Sequence, residues 1–193
     1  MSGGGERPQL LDVRVGSSPD ARAPVSVVER SLVARPIHWL GLLSVGLAAV
    51  AADQATKHVV TSELELGEAR HIFGPFWIHH VQNTGVAFGF FQGAVSVVTV
   101  LTGIAVLWMV WYFARSGARH PVLPVALGFL IGGSLSNLVD RVRLKYVTDF
   151  IDPEHWPAFN LADVFITIGV GILLVALVLA ENRPRTRRLS RHG

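Results

Sequence analysis

No cysteine occurs anywhere in the 193 residues. That absence excludes disulfides, thiolate metal sites and a cysteine nucleophile. Charge is scarce as well. Only 16% of the residues are Asp, Glu, Lys or Arg, against about a quarter in soluble domains. Half of the chain is hydrophobic, a balance that does not suit a soluble globule. The sequence pI of about 9.9 does not point to nucleic acid. Its basic residues sit in the two tails and one short loop, where membrane topology places them. There is no internal repeat.

Long apolar runs are plentiful. A bilayer-spanning helix needs about 20 residues, and four runs meet that length: Pro36 to Val60, Phe88 to Phe113, Pro121 to Val139 and Leu161 to Ala180. Open sheets cannot span lipid, so these runs predict an all-α membrane protein with four transmembrane helices. The first run is free of charge only as far as Ala52; Asp53 and Lys57 follow on its last turns. Leu47-Ala-Ala-Val-Ala-Ala52 has the look of a signal-peptide cleavage site. The preceding tail is long for a signal peptide, however, and the helical pattern continues through Lys57.

Three regions follow. Residues 1–35, with Gly3, Gly4, Gly5, Pro8, Pro19 and Pro24, read as a disordered tail. Residues 36–180 form the membrane domain, and 181–193 a basic tail. Arg30 and Arg35 precede the first span, Arg115 and Arg119 lie between spans two and three, and five arginines follow the fourth. The other two connections are acidic on balance. By the positive-inside rule both termini are cytoplasmic and both larger loops face outward.

Polar residues gather at the outer ends of the spans. Asp53 and Lys57 are four apart on one helix face, acid first, the favourable order. They form either a self-contained ion pair or a pair that orients a ligand or holds neighbouring loops. Thr61 to Ala87 reads as short strands with Phe73, Phe76 and Trp77 at the membrane surface and a turn at Gly74-Pro75. In Asn83-Thr-Gly85, a turn signal, Gly85 permits close backbone approach. His79 and His80 point to opposite faces of a strand, and no second ligand cluster is near, so neither a metal nor a cofactor is expected.

The third span ends Gly132-Gly-Ser-Leu-Ser-Asn-Leu-Val-Asp-Arg141. Its small residues let helices pack closely in lipid, and Asn137, Asp140 and Arg141 share a face. Asp140 suits an interhelical polar network. Arg141 suits contact with a substrate carbonyl or phosphate. Asn160 and Asp163 fit a helix N-cap and an acid three residues on. Asp149 lies across a short loop stiffened by Pro153 and Pro157. Carboxylates beside a bilayer are costly and are functional candidates by default. Two that converge can activate water without a metal. A transporter using intramembrane acids is the rival reading, but its acids belong near mid-span.

Together Asp53-Gln-Ala-Thr-Lys57, Asn83-Thr-Gly-Val-Ala-Phe88, Gly133 to Arg141, Val147-Thr-Asp-Phe150 and Phe159-Asn-Leu-Ala-Asp163 resemble the lipoprotein signal peptidases. This family, also called signal peptidase II, comprises the membrane aspartic peptidases of bacteria. The resemblance covers about Pro36 to Ala180. It implies a four-helix bundle with a small extracytoplasmic β-cradle in the bacterial cytoplasmic membrane, with the active site near the outer face. It implies Asp149 and Asp163 as the catalytic pair. Asn83, Gly85, Asn137, Arg141, Asn160, Asp53 and Lys57 are expected around the substrate, with Asp140 structural. The implied substrate is a diacylglyceryl-modified prolipoprotein, cut just before its lipidated cysteine. The partners expected are that substrate and membrane lipid, with the enzyme a monomer.

Overall fold

A computed structural model of the chain describes residues 34–85, 95–116 and 120–181. The expected N-terminal tail, except Ala34 and Arg35, lies outside them. So do the start of the second span and all of the basic C-terminal tail beyond Glu181.

Four helices are long and apolar enough to cross a membrane: α1 (Pro36–Glu63), α2 (Val95–Ser116), α3 (Leu123–Leu144) and α4 (Leu161–Glu181). Pro36 opens α1 in the first-turn position, where its missing N–H costs nothing. The Arg35 backbone N–H donates to His38 Nδ1 at 3.1 Å. The helix runs unbroken through Leu47-Ala-Ala-Val-Ala-Ala52.

The helix α3 runs past the apolar stretch that ends at Val139, through Asp140 and Arg141 to Leu144. Buried partners from α1 allow its last turns to carry charge. It ends at Lys145, whose left-handed backbone (φ 70°) turns the chain out of the helix.

The helix α3 is the centre of the bundle. Of its most apolar 18-residue stretch 61% is buried, against 11–17% for the other three. Glycine makes that possible. A methyl at Gly132 would stand 2.6 Å from the carbonyl oxygen of Gly46 on α1. One at Gly133 would stand 2.5 Å from the carbonyl oxygen of Ala162 on α4. Without a strong hydrophobic force between helices in lipid, such close backbone approach drives association. Leu42, Val106, Phe113, Leu123, Leu127 and Ile131 form the bundle's apolar core, and Trp39 packs edge-on to Phe113 at 4.9 Å. Leu40, Leu47, Val100, Leu107, Leu174 and Leu177 point outward and are exposed, as lipid-facing side chains should be.

A three-stranded antiparallel sheet caps one end, in the order β1 (Ala69–Phe73), β2 (Phe76–Asn83), β3 (Val147–Pro153). The expected turn at Gly74-Pro75 joins β1 to β2, with Gly74 at φ 52°. The third strand, which carries Asp149, leads into the short loop before Asp163. Val81 pairs with Asp149 and Ile78 with Ile151, so β2 bulges at His79 and His80. Phe159 then returns antiparallel to Ile151, through bonds of 2.8 and 2.9 Å. Val60, Leu64 and Phe150 clamp the sheet to the end of α1.

Candidate active site

Asp149 and Asp163 line one cavity of about 590 Å³, with Asn83, Asn137, Arg141 and Asn160. They arrive from different parts of the fold. Asp149 sits on β3 and is 2% exposed. Asp163 sits in the first turn of α4 and is partly buried.

Each carboxylate is held by amides. Asn83 Nδ2 donates to Asp149 Oδ2 at 2.8 Å, and Asn160 Nδ2 donates to Asp149 Oδ1 at 2.7 Å. Asn137 Nδ2 donates to Asp163 Oδ1 at 2.9 Å. The Asn160 backbone N–H donates to Asp163 Oδ2 at 3.2 Å, and Asn160 Oδ1 accepts the Asp163 N–H at 3.1 Å. That exchange is the reciprocal helix cap the sequence suggested. The same Asn160 amide that caps α4 therefore also bonds Asp149. Gly85 stays out of the cavity wall. Its N–H donates to Asn83 Oδ1 at 2.9 Å, an Asx turn that fixes the Asn83 amide so that Nδ2 faces Asp149.

Asp53 and Lys57 do not line the cavity; they lie buried behind it. Lys57 Nζ stands 2.7 Å from Asp53 Oδ2 and 2.8 Å from Asp140 Oδ2, and donates to Asn137 Oδ1 at 2.9 Å. Asp53 Oδ1 accepts the Ala162 N–H at 2.8 Å, which ties α1 to the first turn of α4. Lys57 is thus the hub of a network joining α1, α3 and α4, and Asn137 passes that order on to Asp163. Two further members were not singled out in the sequence. Gln54 Nε2 donates to Asp140 Oδ1 at 2.8 Å and Ser136 Oγ at 3.0 Å, while Ser136 Oγ donates to Asp53 Oδ2 at 2.7 Å. The helix spacing of Asp53, Gln54 and Lys57 was the available signal. Its partner strip on α3 was not readable from either segment alone.

The electrostatics separate these acids. Asp53 and Asp140 share a buried cation. Asp149 lacks one beside it, and its carboxyl is pushed up from 3.8 to about 6. Burial is the main cause, and the charge of Asp163 adds to it. The Asn83 and Asn160 amides and the more distant Lys57 act the other way. Arg141 faces the charges of Asp163, Asp149 and Asp140, yet among the described residues it forms no ion pair within 4 Å. Its guanidinium donors are left for the cavity.

His79 Nδ1 lies 2.6 Å from Asp152 Oδ2, and His80 Nδ1 lies 3.0 Å from the Leu64 carbonyl oxygen. Both histidines serve the sheet rather than the cavity.

Comparison with known proteins finds relatives over most of the membrane domain. The family model for signal peptidase (SPase) II matches residues 45–179. The lipoprotein signal peptidase of Symbiobacterium thermophilum is 38% identical over 149 residues, covering 74% of this chain and 98% of that protein. That of Dehalococcoides mccartyi is 41% identical over 136 residues, covering 67% and 84%. A bacterial membrane enzyme solved by the in meso method at 2.3 Å superposes with a TM-score of 0.71 at 27% identity, covering 77% of this chain and 93% of that one. A second, solved at 1.9 Å, gives 0.65 at 29% identity, covering 71% and 92%. The four spanning helices, the small sheet and this match over most of the length lead to one conclusion: the chain belongs to the signal peptidase II family.

Proposed function

We propose that Asp149 and Asp163 are the catalytic dyad of this peptidase. The family membership makes the chain a membrane aspartic endopeptidase that removes the signal peptide from diacylglyceryl-modified prolipoproteins, cleaving just before the lipidated cysteine. The observation that carries the dyad is Asn160. Its side-chain amide bonds Asp149 while its carbonyl oxygen and backbone N–H bond Asp163, at the wall of one open cavity.

The dyad holds one proton, because neighbouring like charges do not both ionise easily. The ionised carboxylate takes a proton from water as the water oxygen adds to the scissile carbonyl carbon. The protonated carboxyl gives its proton to the carbonyl oxygen. The resulting gem-diol then collapses: the leaving nitrogen takes the proton gained from water, the C–N bond breaks, and a hydroxyl proton returns to the other carboxylate, which restores the one-proton dyad. Arg141 supplies donors toward the developing oxyanion. Asn83, Asn137 and Asn160 hold the two carboxylates in place, and Asp53, Lys57 and Asp140 hold those amides from behind.

The protein is a multi-pass bacterial membrane protein. The distribution of arginine supports cytoplasmic termini and a dyad near the outer face. The substrate and surrounding membrane lipid are the partners of this reading, and the enzyme acts as a monomer.

The deciding experiment is turnover of a lipidated prolipoprotein in detergent by Asp149→Asn, Asp163→Asn and the double variant, with thermal unfolding of each. Each single variant should lose at least about a thousandfold in kcat. The double should be scarcely worse than either single, because cooperating groups are strongly non-additive. Near-wild-type turnover in either single variant, with the fold intact, would refute the dyad. If Asp163 only caps α4, its replacement costs about 1 kcal/mol of stability and spares turnover.

A further inference from the structure

On the lipid-facing side of α1, away from the catalytic cavity, lies a second concavity of about 490 Å³. Its walls are Val59, Val60 and Leu64 from α1, Ile72 and Ile78 from the sheet, and Phe150. Val59 and Ile72 are more than half exposed. Phe150 follows Asp149 on β3, so neighbouring residues of one strand line the two cavities. From Ala55 to Glu63 the groove follows α1 for roughly 12 Å.

Apolar walls alone select nothing here, because lipid tails are as apolar as the walls. The lip is different. It carries Glu63 and Arg70. Arg70 donates from Nη2 to the Glu63 carbonyl oxygen at 3.0 Å and from Nε to Glu68 Oε1 at 3.0 Å. Those bonds fix the guanidinium at the end of α1, where a cation suits the helix dipole. Its Nη1 group makes no hydrogen bond among the described residues. The carboxylate of Glu63 makes no ion pair there. Two acids therefore stand with one fixed guanidinium at the end of an apolar groove: Glu68 is paired with Arg70, and Glu63 keeps its carboxylate free of any ion pair among the described residues.

We propose that this groove is a binding site for a membrane phospholipid with a primary-ammonium headgroup, phosphatidylethanolamine. The phosphate accepts from Arg70 Nη1. The ammonium donates to the Glu63 carboxylate in a charge-assisted bond. One acyl chain lies against Val59, Ile72 and Phe150. Phosphatidylcholine offers the same charges but no N–H donor. Phosphatidylglycerol offers the phosphate but leaves Glu63 without a cation. The site is separate from the catalytic cavity and its occupancy does not require the dyad.

The test reconstitutes the full chain in vesicles containing a trace of phosphatidylethanolamine with a diazirine in its acyl chain. After illumination, adducts are mapped by mass spectrometry. Adducts should concentrate at Val59, Ile72 and Phe150. Unlabelled phosphatidylethanolamine should compete about fivefold better than phosphatidylcholine or phosphatidylglycerol, a difference of about 1 kcal/mol. Glu63→Gln should reduce that preference to within about twofold while leaving the unfolding temperature unchanged. Adducts spread evenly over the lipid-facing sides of α2 and α4 would overturn the proposal. So would equal competition by all three lipids, which marks a groove that any tail fills. A preference that survives in Glu63→Gln would overturn it too.

Discussion

At the residue scale, two kinds of acid stand in one polar network. Asp53 and Asp140 each lie against Lys57 Nζ. Asp149 is bonded by neutral amides only, and its carboxyl titrates near 6. That has a consequence for stability. Between pH 3.8 and about 6 the folded chain keeps a proton on Asp149 that the unfolded chain has released. Stability therefore falls as pH rises through this window, by about 3 kcal/mol in all. Below pH 3.8 the effect vanishes, and above about 6 it is complete. Thermal midpoints measured in detergent from pH 4 to 7 should decline more steeply for the wild type than for Asp149→Asn. Parallel slopes would show that Asp149 is not buried as described. The sequence exposed these acids as candidates, because charge beside a bilayer stands out. It did not divide them by role. The division rests on which helix faces Lys57, and that face belongs to α3, some 80 residues further along the chain.

At the element scale, the spans were legible and the sheet was half legible. Apolar length marks a membrane helix without reference to anything else, and α4 was read to within a residue. The polar end of α3 shows its helical spacing at Asn137, Asp140 and Arg141, but its partners Gln54 and Lys57 stand on another helix and are not readable from that segment. The strand β3 was missed for a similar reason. Val147-Thr-Asp-Phe-Ile151 has strand-forming residues, but two prolines and several acids follow closely. Its pairing partner, β2, lies more than 60 residues earlier. The helix seams carry the next prediction. Gly133 sits against Ala162, the residue before Asp163, and a methyl there would meet the Ala162 carbonyl oxygen at 2.5 Å. Gly133→Ala must push α4 away from α3. The Asn137–Asp163 bond crosses that seam. Turnover should drop by about a hundredfold, as misplacement by an ångström can cost, with a stability loss of about 1–3 kcal/mol. Side-by-side kinetics and unfolding of Gly133→Ala check it. Unchanged turnover would mean that the seam does not set the dyad.

At the scale of the whole molecule, the acids Asp53, Asp140, Asp149 and Asp163 gather at the sheet-bearing end of the bundle, linked through Lys57, Asn137 and Asn160. A carrier moving ions across the membrane would need them near mid-span. Which side that end faces can be measured directly, since the chain has no cysteine of its own. Single cysteines at Glu154, exposed beyond β3, and at Arg183, in the C-terminal tail, report the two sides. In intact cells a membrane-impermeant maleimide should label Glu154→Cys and spare Arg183→Cys. The reverse pattern would invert the proposed topology.

The length of α1 has a consequence of another kind. Its 28 residues span roughly 42 Å, well beyond the roughly 30 Å of a hydrocarbon core. The helix α4 starts level with Asp53, where Ala162 is bonded, and α1 climbs ten residues further to hold the sheet. The proposed dyad is therefore set at a height fixed by protein. The scissile bond of a lipid-anchored substrate is set at a height fixed by the leaflet. Hydrophobic mismatch shifts one against the other. In bilayers of graded acyl length, turnover should peak at one thickness and fall on both sides, while the unfolding temperature changes little. Membrane thickness then acts on this enzyme much as a tuning screw does, with no ligand involved.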